Sequence, residues 1–280
     1  MSFASDVFFW RDKMNSITNE YILKVAMEQS ANDIGCKMED FLTSENRVVP
    51  FQLGEKAKKY YELPIIANFI SYGNNVVAAG SDDVLDILKE YVEKFEFYHC
   101  FETPNSHWLE ERITPMGYKV CFMAEYYLPD VRKLQESIKK LEERPFDFEL
   151  RILEQPDFKD LYLPEWSNAL CEKRKELDVL GVGAYEGNKL VGFAACSADA
   201  EEMWQIGIDV LPEYRRRGIA STLTVKLAWE IMKRGKVPFY CTAWSNIRSV
   251  RNAFKSGFIP AWAEMTVKPI EVINQVNNEA

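Results

Sequence analysis

Val210-Leu211-Pro212-Glu213-Tyr214-Arg215-Arg216-Arg217-Gly218-Ile219-Ala220-Ser221 is the stretch on which the reading of this chain turns. Ahead of it, Trp204, Ile206, Ile208 and Val210 alternate with Gln205, Gly207 and Asp209, the period of two that marks a strand. Pro212, which lacks an N–H, ends that strand. Behind it, Ile219, Leu223, Leu227 and Ile231 recur every fourth residue beside Ala220, Ala228 and Met232, which predicts a helix with a wide apolar stripe, closed by Gly235. Three arginines therefore occupy the turn from a strand into a helix. A glycine at the helix start lets backbone amides approach an anion with no Cβ in the way, and the helix N-terminus adds roughly +0.5 of a charge. The turn reads as a pyrophosphate cradle; taken as a bare string, a solvated basic turn is the competing reading.

The flanking pattern is α/β. Downstream, a strand is expected at 237–244, a helix at 246–256 stopped by Gly257, and a strand region at 258–267 interrupted by Pro260. Upstream lie an expected strand at 147–153, a helix at 157–176, and strands at 178–186 and 190–197 joined by the turn Glu186-Gly187-Asn188-Lys189. Arg144-Pro145 interrupts the charged, helix-favouring segment 130–143 and places a domain boundary, giving an N-terminal α/β domain at 1–145 and a C-terminal domain at 146–280. In the N-terminal domain Tyr21, Ile22, Val25 and Ala26 have helical spacing, and Phe41-Leu42 forms a second apolar group. Between 65 and 130, strands at 76–79, 95–100 and 118–127 alternate with helices near 82–94 and 105–116.

Composition narrows the function. A chain of 280 residues, 47% hydrophobic and 28% charged, fits about two globular domains and excludes disordered, collagenous and coiled-coil classes. It holds no apolar run near the ~18 residues of a membrane helix. A net charge of −9 argues against nucleic acid and membrane surfaces as partners but leaves room for one basic pocket. With no basic residue before Arg11 and only Val7-Phe8-Phe9-Trp10 as an apolar cluster, the start lacks the pattern of a secretion signal, so a cytoplasmic location is expected. The six cysteines (36, 100, 121, 171, 196 and 241) come no closer than 21 positions, and there are two histidines. Reduced, mostly buried thiols and no metal centre are expected. Gly181-Val182-Gly183 precedes a strand rather than a helix and reads as sheet packing, and His99 and His107 are given no role.

The succession of strand, arginine turn, amphipathic helix and strand, followed by Asn246-Ile247-Arg248-Ser249 and Lys255-Ser256-Gly257-Phe258, resembles the GCN5-related N-acetyltransferase (GNAT) superfamily over about 147–268. The resemblance implies a GNAT fold, a mixed α/β sheet, in the C-terminal half, with acetyl-CoA as co-substrate. The implied reaction is acetyl transfer by direct attack of a primary amine, on a small molecule or a peptide, upon the thioester. In this superfamily two parallel strands splay and pantetheine fills the gap like an added strand. Carried over, Ile208 and Val210 would offer backbone groups to pantetheine. Arg215, Arg216, Arg217, Gly218, Ile219, Ala220 and Ser221 would hold the pyrophosphate. Asn246 would bond the pantetheine arm, with Ser249 and Asn252 further along the same helix; helix capping competes for these residues.

Two positions depart from the superfamily pattern. Where many members carry a tyrosine acid seven residues after the asparagine, this chain has Ala253, which leaves Tyr240 as the nearest donor, unless it is only a buried strand aromatic. Where a glutamate base is common stands Trp204. Glu202 shares its strand face and could act through a water, or be a solvated turn carboxylate. Glu165 is expected to anchor the substrate amine, or to be a helix-start charge. These departures support an alternative reading as a catalytically silent CoA-binding regulatory or scaffold module. Phe97-Tyr98, Asn105 and Gly117-Tyr118 parallel Phe239-Tyr240, Asn246 and Gly257-Phe258, so the N-terminal half, expected to wall the substrate cleft, reads either as a degenerate GNAT-like copy or as an α/β segment similar by chance. Asp82 and Asp83 stand there in place of the arginines and would repel a second pyrophosphate.

Overall fold

The computed structural model describes residues 17–59, 64–143 and 146–279. Arg144 and Pro145, at the expected boundary, and the cluster Val7 to Trp10 lie outside the described residues. In chain order the elements are α1 (Asn19–Ile34), β1 (Arg47–Pro50), β2 (Ala67–Ser71), β3 (Val77–Gly80), α2 (Leu85–Lys94), α3 (Thr103–Ile113), β4 (Tyr118–Pro129) and α4 (Val131–Glu143). They continue with β5 (Glu149–Glu154), β6 (Asp178–Glu186), β7 (Lys189–Ser197), β8 (Met203–Val210), α5 (Ile219–Lys233), β9 (Val237–Thr242), α6 (Ile247–Lys255), β10 (Phe258–Pro269) and α7 (Ile270–Glu279). They form two compact units: Met1–Val25 with Tyr127–Pro260, and Ala26–Tyr126 with Ala261–Ala280.

The first unit has strand order β4-β9-β8-β7-β6-β5, antiparallel from β5 to β8 and parallel between β8 and β9. Gly187, at φ +61°, makes the β6–β7 turn. The predicted stripe of α5 is buried, with Ile219, Leu223, Leu227 and Ile231 all in the core. Each such side chain taken out of water contributes roughly 1.5–3 kcal/mol. Gly192 of β7 lets this helix come close, since a Cβ there would stand 2.5 Å from Ile219 Cγ2. A separate cluster holds Phe158, Trp166, Ala169 and Leu170 against Phe193 and Ala195 of β7.

The expected helix at 157–176 is absent; three 3₁₀ turns, Gln155–Phe158, Pro164–Trp166 and Glu172–Leu177, take its place. Pro156 and Pro164 each open a turn and cannot donate to a continuing helix, so burial of Phe158 and Trp166 governs the segment instead. Pro260 does not interrupt β10, which runs unbroken from Phe258 to Pro269.

The second unit has strand order β1-β3-β2-β10-β4, with β1 and β3 parallel and β2 antiparallel to both β3 and β10. Phe69, Leu88, Tyr91, Leu109 and Met265 centre its core. Residues 95–100, expected as a strand, form a 3₁₀ turn at Phe97–His99 joining α2 to α3; the span is too short for anything but local bonds such as His99 N–H to Glu96 carbonyl. The likeness of Phe97-Tyr98 to Phe239-Tyr240, which lies in β9, is therefore not one of conformation. β1, β2 and α7 had no counterpart in the sequence reading. Among the described residues no helix is long and apolar enough to cross a membrane. All six cysteines are free, and two of them, Cys100 and Cys196, are fully buried.

Candidate active site

In the first unit β8 and β9 are zipped only at their start. Met203, Trp204 and Gln205 pair with Val237, Pro238 and Phe239, and the register stops there although both strands continue. On its other side β8 stays paired with β7 from Gln205 through Val210. The edge from Ile206 to Val210 thus faces a fork, with Ile208 and Val210 half-buried along it.

The arginine turn follows directly. Arg216 has φ +65°, the one non-glycine residue with positive φ among the described residues, and Gly218 caps α5 at φ +82°. Such a conformation costs a residue other than glycine roughly 1–2 kcal/mol. A Cβ at Gly218 would meet nothing within 4 Å. The first bond of α5 runs from Thr222 N–H to the Gly218 carbonyl, and no side chain caps the helix, so the amides of Ile219, Ala220 and Ser221 have no helical acceptor. Ser221 bonds the Gly218 carbonyl through its hydroxyl, and the Ile219 side chain belongs to the core. The structure separates the three arginines. Arg215 Nε donates to the Val210 carbonyl at 3.0 Å. Arg217 stacks over Phe148 at 4.5 Å and Tyr214 at 5.6 Å. Arg216 is exposed and makes neither an ion pair nor a hydrogen bond among the described residues.

Tyr240, on β9 just past the last strand pair, is buried, and its hydroxyl lies 2.7 Å from Ser249 Oγ. Asn252 Nδ2 donates to Thr224 Oγ1, which donates on to the Ala220 carbonyl. Burial pushes the Tyr240 hydroxyl pKa up, and hydrogen bonds with Ser249 and Asn252 pull part of the way back. Four sequence-named residues, Tyr240, Ser249, Asn252 and Ala220, thus share one network, in which Thr224, which sequence reasoning missed, links Asn252 to Ala220. Asn246 caps α6, its Oδ1 accepting Ser249 N–H at 3.2 Å. Ala253 is fully buried.

The carboxylates sort differently. Glu202 stands at the zipped end of β8–β9 with its carboxylate 3.2 Å from Lys236 Nζ. Glu165 is exposed on the turn Pro164–Trp166. Asp209, which the sequence did not single out, accepts the Asn168 and Ala169 N–H groups at 2.8 and 3.0 Å and Asn168 Nδ2 at 2.7 Å, fastening the 164–170 segment across β8. The sole sequence signal was an acid amid apolar residues on a strand.

A second charged cluster lies at the start of β6. Burial pushes the Asp178 carboxyl up to about 6, against the Cys171 N–H, the Tyr162 hydroxyl and the Arg174 charge, which pull it down. A carboxyl whose folded pKa exceeds its unfolded value favours folding while protonated, so this contribution is complete below about pH 4 and is lost as pH rises through 6. Asp178→Asn removes the dependence. The variant is expected to gain about 1–2 kcal/mol on the wild type between pH 4.5 and pH 8, read from thermal melts across that range. Parallel pH profiles would reject the assignment.

A family model described as GNAT acetyltransferase matches residues 65–261, beginning well upstream of the segment that carries the sequence resemblance. The [ribosomal protein bS18]-alanine N-acetyltransferase of Haemophilus influenzae is 27% identical over 108 residues, 36% of this chain and 71% of that protein. Among solved structures, a GCN5-related N-acetyltransferase-like protein from Streptococcus suis aligns with a TM-score of 0.45 and 19% identity, over 72% of this chain and 83% of that one. Salmonella typhimurium yncA, solved with its cofactor acetyl-CoA, aligns with a TM-score of 0.32 and 16% identity, over 43% of this chain and 91% of that one. The family match spans more than two thirds of the 280 residues, and the chain belongs to the GNAT acetyltransferase family.

Proposed function

We propose that the fork between β8 and β9 receives the pantetheine arm of acetyl-CoA, the co-substrate of this acetyltransferase, and that the turn 215–221 receives its diphosphate. The observation that carries this reading is the early end of the β8–β9 register beside an α5 N-terminus that no side chain caps. The edge at Ile208 and Val210 offers the main-chain groups that an added extended chain needs. Asn246 keeps its Nδ2 for the same arm, and Ser249 stands one turn further along α6. Asn252, bonded to Thr224, positions rather than contacts.

The acceptor is a primary amine. Its neutral nitrogen attacks the thioester carbonyl carbon, main-chain N–H groups of β8 receive the oxyanion, and the carbon–sulfur bond breaks as the thiolate leaves. Tyr240, kept protonated by burial, supplies the thiolate's proton. Amines with pKa ~10.4 arrive charged at neutral pH and must lose a proton first. Glu165 is the exposed carboxylate that meets the ammonium group, and Glu202, held by Lys236, takes part only through a bridging water. The Haemophilus influenzae relative is named for a ribosomal-protein alanine, which favours a peptide α-amine over other acceptors.

Acetyl-CoA at ~100 times its Kd should add about 2.7 kcal/mol of stability, a melting shift of roughly 5–10 °C for a chain this long. Free thiol should then be released when a panel of peptides, polyamines and aminoglycosides is added; no melting shift overturns the reading. Tyr240→Phe should lower kcat severalfold with KM for acetyl-CoA unchanged, and full turnover in that variant would remove Tyr240 from the mechanism. Buried Ala253 and the Glu202–Lys236 pair favour a second reading, a catalytically silent coenzyme-binding module. Binding without thiol release across the panel would decide for it.

A further inference from the structure

α6 differs from its neighbours in how its charges are matched. α4 sets Glu136 and Glu143 one turn beyond Arg132 and Lys139, and α5 gathers Lys226, Lys233 and the following Arg234 on Glu230. α6, Ile247-Arg248-Ser249-Val250-Arg251-Asn252-Ala253-Phe254-Lys255, has cations and no acid. Arg248, Arg251 and Lys255 are exposed, and among the described residues none of their side chains makes an ion pair or a hydrogen bond. Helix stability does not account for them. Like charges three and four positions apart repel, and Arg248 stands in the first turn, where the helix dipole disfavours a cation. In a chain of net charge −9 an unmatched basic stripe points to something outside the chain.

Their place in the fold says what that is. At about 100° per residue the three fall within an arc of roughly 60°, bordered by Asn252 and then Ser256. Those two residues reach α5: Asn252 Nδ2 donates to Thr224 Oγ1 at 3.0 Å, and Ser256 Oγ donates to the Ser221 carbonyl at 3.4 Å. The cations therefore line the solvent flank of α6 that lies beside the first two turns of α5, where the amides of Ile219, Ala220 and Ser221 have no helical acceptor. The apolar residues take the other flank, with Ile247 exposed and Phe254 against the Tyr127 ring at 5.9 Å.

Coenzyme A carries a phosphate beyond its diphosphate, a monoester on the 3′ carbon of the ribose joined to that diphosphate, with a charge of roughly −1.5 to −2 at neutral pH. With the diphosphate over the turn 215–221, this dianion lies one ribose away, on the side of α5 that α6 borders or on the side open to water. The stripe decides between them. Two arginines can each grip a phosphate through paired N–H groups, and a lysine adds a point charge. We propose that Arg248, Arg251 and Lys255 form a subsite for the 3′-phosphate of the coenzyme, so that this protein discriminates against acyl donors that lack it. The inference rests on the coenzyme reading given above and adds a specificity to it.

The test is calorimetry on the full chain with acetyl-CoA and acetyl-dephospho-CoA, which differ only in the 3′-phosphate. The wild type should bind acetyl-CoA at least about tenfold more tightly. A variant combining Arg248→Gln, Arg251→Gln and Lys255→Gln should bind the two alike, near the wild type's affinity for acetyl-dephospho-CoA, because the diphosphate and pantetheine contacts stay in place. Should that variant fail to fold, Lys255→Gln alone should narrow the preference at least about threefold. Arg132→Gln with Lys139→Gln, which removes charge from α4 instead, should keep the full preference. Equal binding of both forms by the wild type, full preference in the α6 variants, or an equal loss of preference in the α4 variant overturns the inference and leaves the acetyl-CoA site standing. Binding of neither form to the wild type overturns that site and the inference together.

Discussion

Gly207→Ala is expected to unseat the 164–170 segment from β8, lowering the melting temperature by roughly 10 °C. The added Cβ would fall inside the van der Waals radius of the Asn168 carbonyl oxygen, 2.9 Å from that carbonyl carbon and 3.1 Å from Ala169 Cα. These are backbone atoms and cannot turn aside. Either the segment lifts or β8 shifts, and in both cases Asp209 loses bonds to Asn168 and Ala169. Overpacking costs about 1–3 kcal/mol, and hydrogen bonds to a charged group roughly 1.5–3 kcal/mol each, so a loss of about 3–5 kcal/mol is expected. Because the strained residue lies on the edge from Ile206 to Val210, affinity for acetyl-CoA should fall by about tenfold or more. Gly183→Ala is the control: its Cβ would meet side-chain ends, Tyr185 Cε2, Leu190 Cδ1 and Leu153 Cδ1, which can move. Equal melting temperatures for the two variants would show that the 164–170 segment does not depend on Gly207.

What could be read from the sequence was local. β8 and α5 announce themselves because a period of two gives way to a period near four across a proline, and both periodicities are set by the core they bury. The 157–176 segment misled for the same reason. Its apolar residues are buried by β7, and its true constraint is Asp209, some 40 positions away, which no spacing rule reaches. Aromatic residues at 95–100 carried strand propensity, but a connector between two helices leaves no room for a ladder. The site divides along the same line. The arginine turn was legible because strand, turn and glycine are consecutive, whereas the network in which Tyr240 meets Ser249 and Asn252, and Asn252 leads through Thr224 to Ala220, joins β9, α6 and α5 and exists only once they pack. Three adjacent arginines look alike as letters; their neighbours make them different.

Those neighbours give the sharpest prediction for the coenzyme. Arg217→Ala should cost stability, because the guanidinium loses its stacking on Phe148 and Tyr214, while leaving affinity for acetyl-CoA within about threefold. Arg216→Gly should do the reverse. Glycine relieves the left-handed conformation at φ +65° and raises stability by about 0.5–1 kcal/mol. The lost charge removes a diphosphate contact and weakens acetyl-CoA by about tenfold or more. Gly218→Val acts on the space itself: φ +82° makes a β-branched residue strained, and the side chain fills the opening where a Cβ would otherwise meet nothing. Its affinity should fall by more than about a hundredfold, well beyond its loss of roughly 1–2 kcal/mol in stability. Thermal melts and acetyl-CoA titrations of the three variants therefore move along different axes. If Arg216→Gly binds acetyl-CoA as the wild type does, or Arg217→Ala is the variant that loses it, the diphosphate does not lie over this turn as proposed, and the stack on Phe148 would have to open to admit it.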